Sequence, residues 1–93
     1  ARGDESVRKI LINTIKMEVP KEKEDYDISL KKKDYKKIEE NVHRIKHKIS
    51  ILGLDKSYEK ANEFEHNLRE NSLSGIRDFE KTLIVISEYI KTM

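Results

Sequence analysis

The chain has 93 residues, 35% of them hydrophobic and 41% charged, and these proportions fit one small domain with a modest core. The 20 Lys and Arg residues nearly balance the 18 Asp and Glu residues, and the signs are interleaved, so charge alone gives no reason to expect nucleic-acid binding. Cysteine is absent, which excludes disulfides and cysteine-bound metals. The most apolar stretch, Leu83 to Ile86, is too short to span a membrane, so no direct membrane contact is expected.

Helix is the expected secondary structure throughout, because one Pro and three Gly are the only strong interruptions of a Lys-, Glu-, Ile- and Leu-rich chain. Residues 1–4 are interpreted as a cloning scar or a linker, and residues 5–93 as one helical domain. The first helix is predicted over 5–18, with an inward face of Val7, Leu11, Ile12 and Ile15.

A second, highly charged helix is predicted over 20–32, because Pro20 suits the first position of a helix and disrupts the interior of one. Its inward residues are Tyr26 and Leu30. The third helix is predicted over 35–52, with Asp34 as its N-cap and Gly53 able to adopt the left-handed conformation that ends it. Steps of three and four residues define its apolar face of Ile38, Val42, Ile45, Ile49 and Leu52.

Asp55 is the expected N-cap of a fourth helix, which follows it and runs to about Glu70, with inward positions at Tyr58, Ala61, Phe64 or Glu65, and Leu68. The last helix, over 74–93, has the clearest spacing, with an apolar face of Ile76, Phe79, Leu83, Ile86, Ile90 and Met93. The fold class that buries these faces is all-α, an antiparallel four-helix bundle with an additional N-terminal helix.

His43 lies on the third helix but points away from its apolar face, by roughly 140° at about 100° per residue. Ser50 lies within about 20° of His43, and Lys46 within about 60°. The helix therefore presents an imidazole to solvent with an ammonium group one turn away. Such a pair suits an imidazole that accepts an anionic group.

The segment from Val42 to Leu54 resembles the signature of the histidine-containing phosphotransfer domain. In that family an apolar residue precedes the phosphorylated His, Lys follows three residues later, and Gly stands ten residues after the His. This chain matches the pattern at Val42, His43, Ile45, Lys46 and Gly53. Asp34 and Tyr35 also stand where the family commonly has an Asp that opens the helix.

The resemblance implies that His43 accepts a phosphoryl group from a receiver-domain aspartyl phosphate and passes it to an aspartate of a response regulator. Lys46 would stabilise the phosphoryl group, and Ser50 and Glu39 are candidate neighbours that orient the ring. The expected partners are the receiver domains of a hybrid sensor kinase and of a response regulator. The domain itself would bind no cofactor, because Mg²⁺ belongs to the receiver. A cytoplasmic monomer is expected, and the soluble C-terminal part of a membrane-bound sensor kinase is one candidate for its origin.

The chain lacks a glycine-rich phosphate loop and a Walker-type lysine, so it is not expected to act as a kinase on its own. It departs from the family at His47, where the residue directly after the Lys is usually Gly. That side chain could crowd the reacting nitrogen, contact the phosphate or act as a second acceptor. If it blocks the reaction, the alternative is an interaction module that docks a receiver without being phosphorylated.

Two further alternatives come from residue spacing. Glu40 and His43, like Glu63 and His66, match the Glu-x-x-His ligand pair of di-iron bundles, but both His residues are expected outside the core. Residues 31–33 and nearby lysines could bind nucleic acid, although interspersed acidic residues favour a solvated helix junction, and no nucleic-acid partner is expected.

Overall fold

The computed structural model describes residues 4–92 of the chain. These residues form four helices and no strand: α1 (Asp4–Lys31), α2 (Tyr35–Leu52), α3 (Asp55–Arg69) and α4 (Ile76–Lys91). Within this part of the chain, no helix is both long and apolar enough to cross a membrane. The all-α four-helix bundle predicted from the sequence is therefore confirmed.

Interhelical hydrogen bonds show that α2 and α3 run antiparallel and that α2 also contacts α1. Between α2 and α3, Glu39 pairs with Arg69 and Lys46 pairs with Asn62, so residue numbers rise along one helix as they fall along the other. Between α1 and α2, the buried Asn41 donates to Ser29 Oγ over 2.7 Å. Helix α4 packs against both α3 and α1, which closes the ring of helices.

The core is formed by the apolar faces of all four helices. Phe79 lies at its centre, with ring centroids 5.3 Å from Tyr26 and 5.1 Å from Phe64. The buried hydrophobic residues are Ile15, Val19, Tyr26, Ile38, Val42, Ile45, Ile49, Leu52, Ala61, Phe64, Leu68, Phe79, Leu83, Ile86 and Ile90. The predicted apolar faces of α2 and α4 are thus buried as expected, except that Ile76 is partly buried and Met93 lies outside the described residues.

The N-terminal region differs from the prediction. The structure shows no additional N-terminal helix among residues 4–92, because the two helices predicted on either side of Pro20 form the single helix α1. Val7 and Leu11, predicted to face inward, are exposed, since α1 at about 42 Å is much longer than its neighbours and its first turns lack a helix to pack on. Among the α1 residues whose side chains the structure describes, 7–31, Ile15 is the first that is buried.

The ends of α2 agree with the prediction, whereas the start of α3 is displaced by one residue. Asp34 accepts a hydrogen bond from the Lys37 backbone amide at 3.3 Å, and Gly53 adopts φ of 74°. Leu54, not the predicted Asp55, occupies the N-cap position of α3, where no side-chain cap is formed. Asp55 instead lies in the first turn, where its negative charge favours the helix dipole.

Candidate functional site

His43 lies on the outer surface of α2, and its side chain is 62% exposed. The residues that flank it in the signature, Val42 and Ile45, are buried in the core and fix the rotation of the helix. The imidazole Nδ1 lies 3.2 Å from Oε1 of Glu65 on α3. One ring nitrogen therefore faces a protein carboxylate, although the side chain as a whole remains mostly exposed.

Glu65 is a buried carboxylate that contacts three basic side chains. Its own side chain is only 3% exposed. Lys46 Nζ contacts Oε1 at 2.9 Å, on the same oxygen as His43. Arg69 Nη2 donates to Oε2 over 2.6 Å from one turn further along α3. Burial would raise the pKa of Glu65, but the hydrogen bonds and charges of Lys46 and His43 outweigh it and lower that pKa below its usual value.

The ionised Glu65 determines which tautomer of His43 is present. A carboxylate can only accept hydrogen bonds, so Nδ1 of the ring must carry the hydrogen that it shares with Oε1. In the neutral ring, Nε2 then keeps an unprotonated lone pair. A nitrogen with a free lone pair, on a mostly exposed ring, has the properties required of a nucleophile.

Lys46 is held by α3 and is mostly buried, with 13% of its side chain exposed. Besides Glu65, its ammonium group donates to Asn62 Oδ1 over 3.1 Å and lies 5.6 Å from the ring centroid of Tyr58. Tyr58, predicted to face the core, is instead 37% exposed beside this lysine. The three contacts fix the ammonium group next to Glu65.

Arg69 links Glu65 to a second carboxylate. Its Nε donates to Glu39 Oε1 over 3.2 Å, so Glu39, predicted to orient the imidazole, pairs with this arginine instead. A groove of about 240 Å³ lies beside the imidazole, between α2 and α3. Its lining residues are Glu39, Glu40, His43, Arg44, Glu65 and Arg69.

The other residues expected at the site lie along α2 or at its end. His47 is exposed one turn after His43, and Ser50 is exposed on the following turn. Gly53 ends the helix, and its backbone amide bonds to the carbonyls of Ile49 and Ser50. The structure thus places Lys46 and His43 on one carboxylate, whereas Ser50 lies farther along the helix and Glu39 binds Arg69.

Sequence reasoning missed Glu65 and Arg69 as members of the site. Glu65 was considered only as an alternative to Phe64 for an inward position, although both side chains are buried. The sequence does contain a signal for this pair. Glu65 is a charged residue at a position where the helical spacing favours burial, and Arg69 follows four residues later, which is the spacing of an ion pair within a helix. A carboxylate at such a position needs cations from neighbouring helices.

The structure places all four residues of the two Glu-x-x-His pairs, the alternative metal site, on the surface. Glu40, His43, Glu63 and His66 are exposed, whereas the ligands of di-iron bundles project into the core. Across residues 4–92, no group of three or more His, Asp or Glu side chains is arranged to hold a metal ion.

Comparisons of the chain with models of known protein families, with curated proteins and with solved structures find no match. The function is therefore argued from the geometry of the site.

Proposed function

We propose that this domain is a phosphorelay intermediate. It accepts a phosphoryl group from one receiver domain on Nε2 of His43 and passes it to a second receiver domain. The observation that carries the proposal is the hydrogen bond between His43 Nδ1 and the buried, ionised Glu65. It leaves Nε2 with a free lone pair on a mostly exposed side chain, within a segment that resembles the signature of the phosphotransfer family. The donor and acceptor are aspartates of receiver domains, each with its own Mg²⁺.

The group transfer needs no acid or base from this chain. The Nε2 lone pair attacks the phosphorus of the aspartyl phosphate, the bond between phosphorus and the carboxyl oxygen breaks, and its electron pair leaves on the aspartate. The ring retains its Nδ1 hydrogen and becomes a cation that carries the phosphoryl group. Glu65, 3.2 Å away, stabilises that positive charge. Reversal of the same steps returns the phosphoryl group to a receiver.

A labelling experiment tests this proposal. The protein is incubated with a radiolabelled, phosphorylated receiver domain and Mg²⁺, and label is expected on the protein in an acid-labile, base-stable form. His43→Gln should abolish the label, whereas the exposed His47→Gln and His66→Gln variants should retain it. Label that persists in His43→Gln would assign the acceptor role to another residue.

An interaction module that docks a receiver without being phosphorylated is the second candidate. It is favoured by His47, whose exposed ring lies one turn from His43 where the family usually has Gly. Under this function the receiver binds but no label is transferred. If His47 is the obstacle, His47→Gly should allow transfer; failure of both proteins to take up label would leave docking as the better account.

A further inference from the structure

Arg69 has the position and the freedom to contact a phosphoryl group beside His43. Along α2, Glu39 lies one turn before His43 and Lys46 lies about one turn after it. Arg69 pairs with Glu39 and therefore lies on the N-terminal side of the imidazole. The groove beside the ring includes Arg69 in its lining and does not include Lys46. Open space next to the reacting ring is therefore on the Arg69 side.

The two cations differ in their freedom to move. Lys46 is mostly buried, and its ammonium group is already shared among Glu65, Asn62 and the ring of Tyr58. Arg69 is 59% exposed and pairs with two carboxylates, the buried Glu65 at 2.6 Å and the partly exposed Glu39 at 3.2 Å. A guanidinium group can also give two parallel hydrogen bonds to a phosphoryl group while other donors remain available. Arg69 can therefore leave Glu39 while its contact with Glu65 is kept, whereas the ammonium group of Lys46 has no such exposed carboxylate to give up.

The groove has more carboxylates than cations, so a phosphoryl group bound there would need a cation beside it. Three carboxylates, Glu39, Glu40 and Glu65, line it against two guanidinium groups, Arg44 and Arg69. A phosphoryl group would add nearly two negative charges at neutral pH. Arg69 already contacts the carboxylate that holds His43, whereas Arg44 follows His43 in the sequence and lies about 100° around the helix from it.

We propose that Arg69 leaves Glu39 to contact the phosphoryl group on His43, whereas Lys46 acts as a positioning residue that fixes Glu65. This inference rests on the proposed function and deepens it. Glu39 and the phosphoryl group then compete for Arg69. A stronger ion pair between Arg69 and Glu39 would therefore weaken the contact between Arg69 and the phosphoryl group. The step is an exchange of ion pairs and forms no covalent bond.

The test uses the intact protein phosphorylated with phosphoramidate, which transfers its phosphoryl group to an imidazole with release of ammonia. The ³¹P signal is followed as a function of pH, because a cation beside the phosphoryl group favours its dianion and lowers the midpoint of the titration. Arg69→Gln is expected to raise the midpoint by about one pH unit. Arg44→Gln, which removes the same charge from the same groove, should raise it by much less.

Substitution of Glu39, the carboxylate that competes for Arg69, provides the second part of the titration experiment. Glu39→Gln should lower the midpoint by more than Glu40→Gln does, although both variants remove one negative charge from the groove. In an Arg69→Gln background, the excess effect of Glu39→Gln should vanish, because the cation that it releases is gone. This double-mutant cycle separates release of Arg69 from a general change in charge.

Three outcomes would contradict the contact between Arg69 and the phosphoryl group. A midpoint that shifts in Lys46→Gln but not in Arg69→Gln would overturn the inference and assign the contact to Lys46. A ³¹P signal on His43 that none of these variants shifts would also overturn it, while leaving the proposed function intact. Failure of the wild-type protein to take up phosphoryl from either phosphoramidate or a phosphorylated receiver would overturn the proposed function, and the inference with it.

Discussion

Glu65 occupies a buried position of α3, where the spacing of Ala61 and Leu68 would favour an apolar residue. An isolated carboxylate would be strongly destabilised there. Its two oxygens are instead engaged by Lys46, His43 and Arg69 at distances from 2.6 to 3.2 Å. The same contacts that allow Glu65 to be buried also include His43, so under the proposed function Glu65 would contribute to both stability and phosphotransfer.

Glu65→Gln should lower the free energy of unfolding by about 2–3 kcal/mol near neutral pH, because it removes the carboxylate partner of the mostly buried Lys46 and one of the two carboxylates that pair with Arg69. Urea unfolding monitored by circular dichroism measures this change. Glu63→Gln, at an exposed position of the same helix, should change stability by less than about 0.5 kcal/mol. Equal effects of the two substitutions would contradict the cluster around Glu65.

The effect of Glu65 on stability should depend on pH in a defined direction. Because the pKa of Glu65 is lower in the folded protein than its usual value of 4.5, the stabilisation is fully present above about pH 4.5 and is lost as pH falls through the folded pKa. The difference in stability between wild type and Glu65→Gln should therefore shrink in acid. A difference that grows in acid would contradict the lowered pKa.

At the scale of the helices, agreement between sequence and structure follows the strength of the apolar spacing. Helices α2 and α4 have apolar residues at steps of three and four throughout, and their buried faces are those predicted. Their caps follow from residue type, since Asp34 can accept the first amide hydrogen bonds and Gly53 can adopt positive φ. The antiparallel arrangement then follows from the short connections.

Helix α1 shows where the spacing argument fails. Proline disfavours a helix interior, yet Pro20 lies inside α1 on its exposed side. The buried residues before and after it, Val19 and Tyr26, lie on one face only when the helix is continuous. Packing of that face on α2 and α4 therefore outweighs the local preference of proline, and a single sequence does not reveal this balance.

Pro20→Ala distinguishes one continuous helix from two. In a continuous α1, the substitution restores a backbone hydrogen bond and should raise the free energy of unfolding by about 1–3 kcal/mol. Lys21→Ala, at the next exposed position, serves as the control and should change it by no more than about 0.5 kcal/mol. Destabilisation by Pro20→Ala would indicate that the proline begins a separate helix, as the sequence alone suggests.

At the scale of the molecule, the candidate site lies where helices α2 and α3 pack side by side. Helix α2 presents His43 and Lys46, and α3 supplies Glu65 and Arg69, so neither helix holds the complete site. The position of His43 could be predicted from α2 alone, because exposure follows from helical rotation. The partners on α3 could not, because the antiparallel register that brings residue 65 beside residue 43 is set by tertiary packing.

The central claim is that the phosphoryl group is carried on Nε2 of His43. NMR of the phosphorylated protein, labelled with ¹⁵N in its histidines, tests it directly through the coupling between ³¹P and ¹⁵N. Coupling to Nε2 of His43 is expected, with Nδ1 still protonated and facing Glu65. Coupling to Nδ1 of His43, or to a nitrogen of His47 or His66, would contradict it.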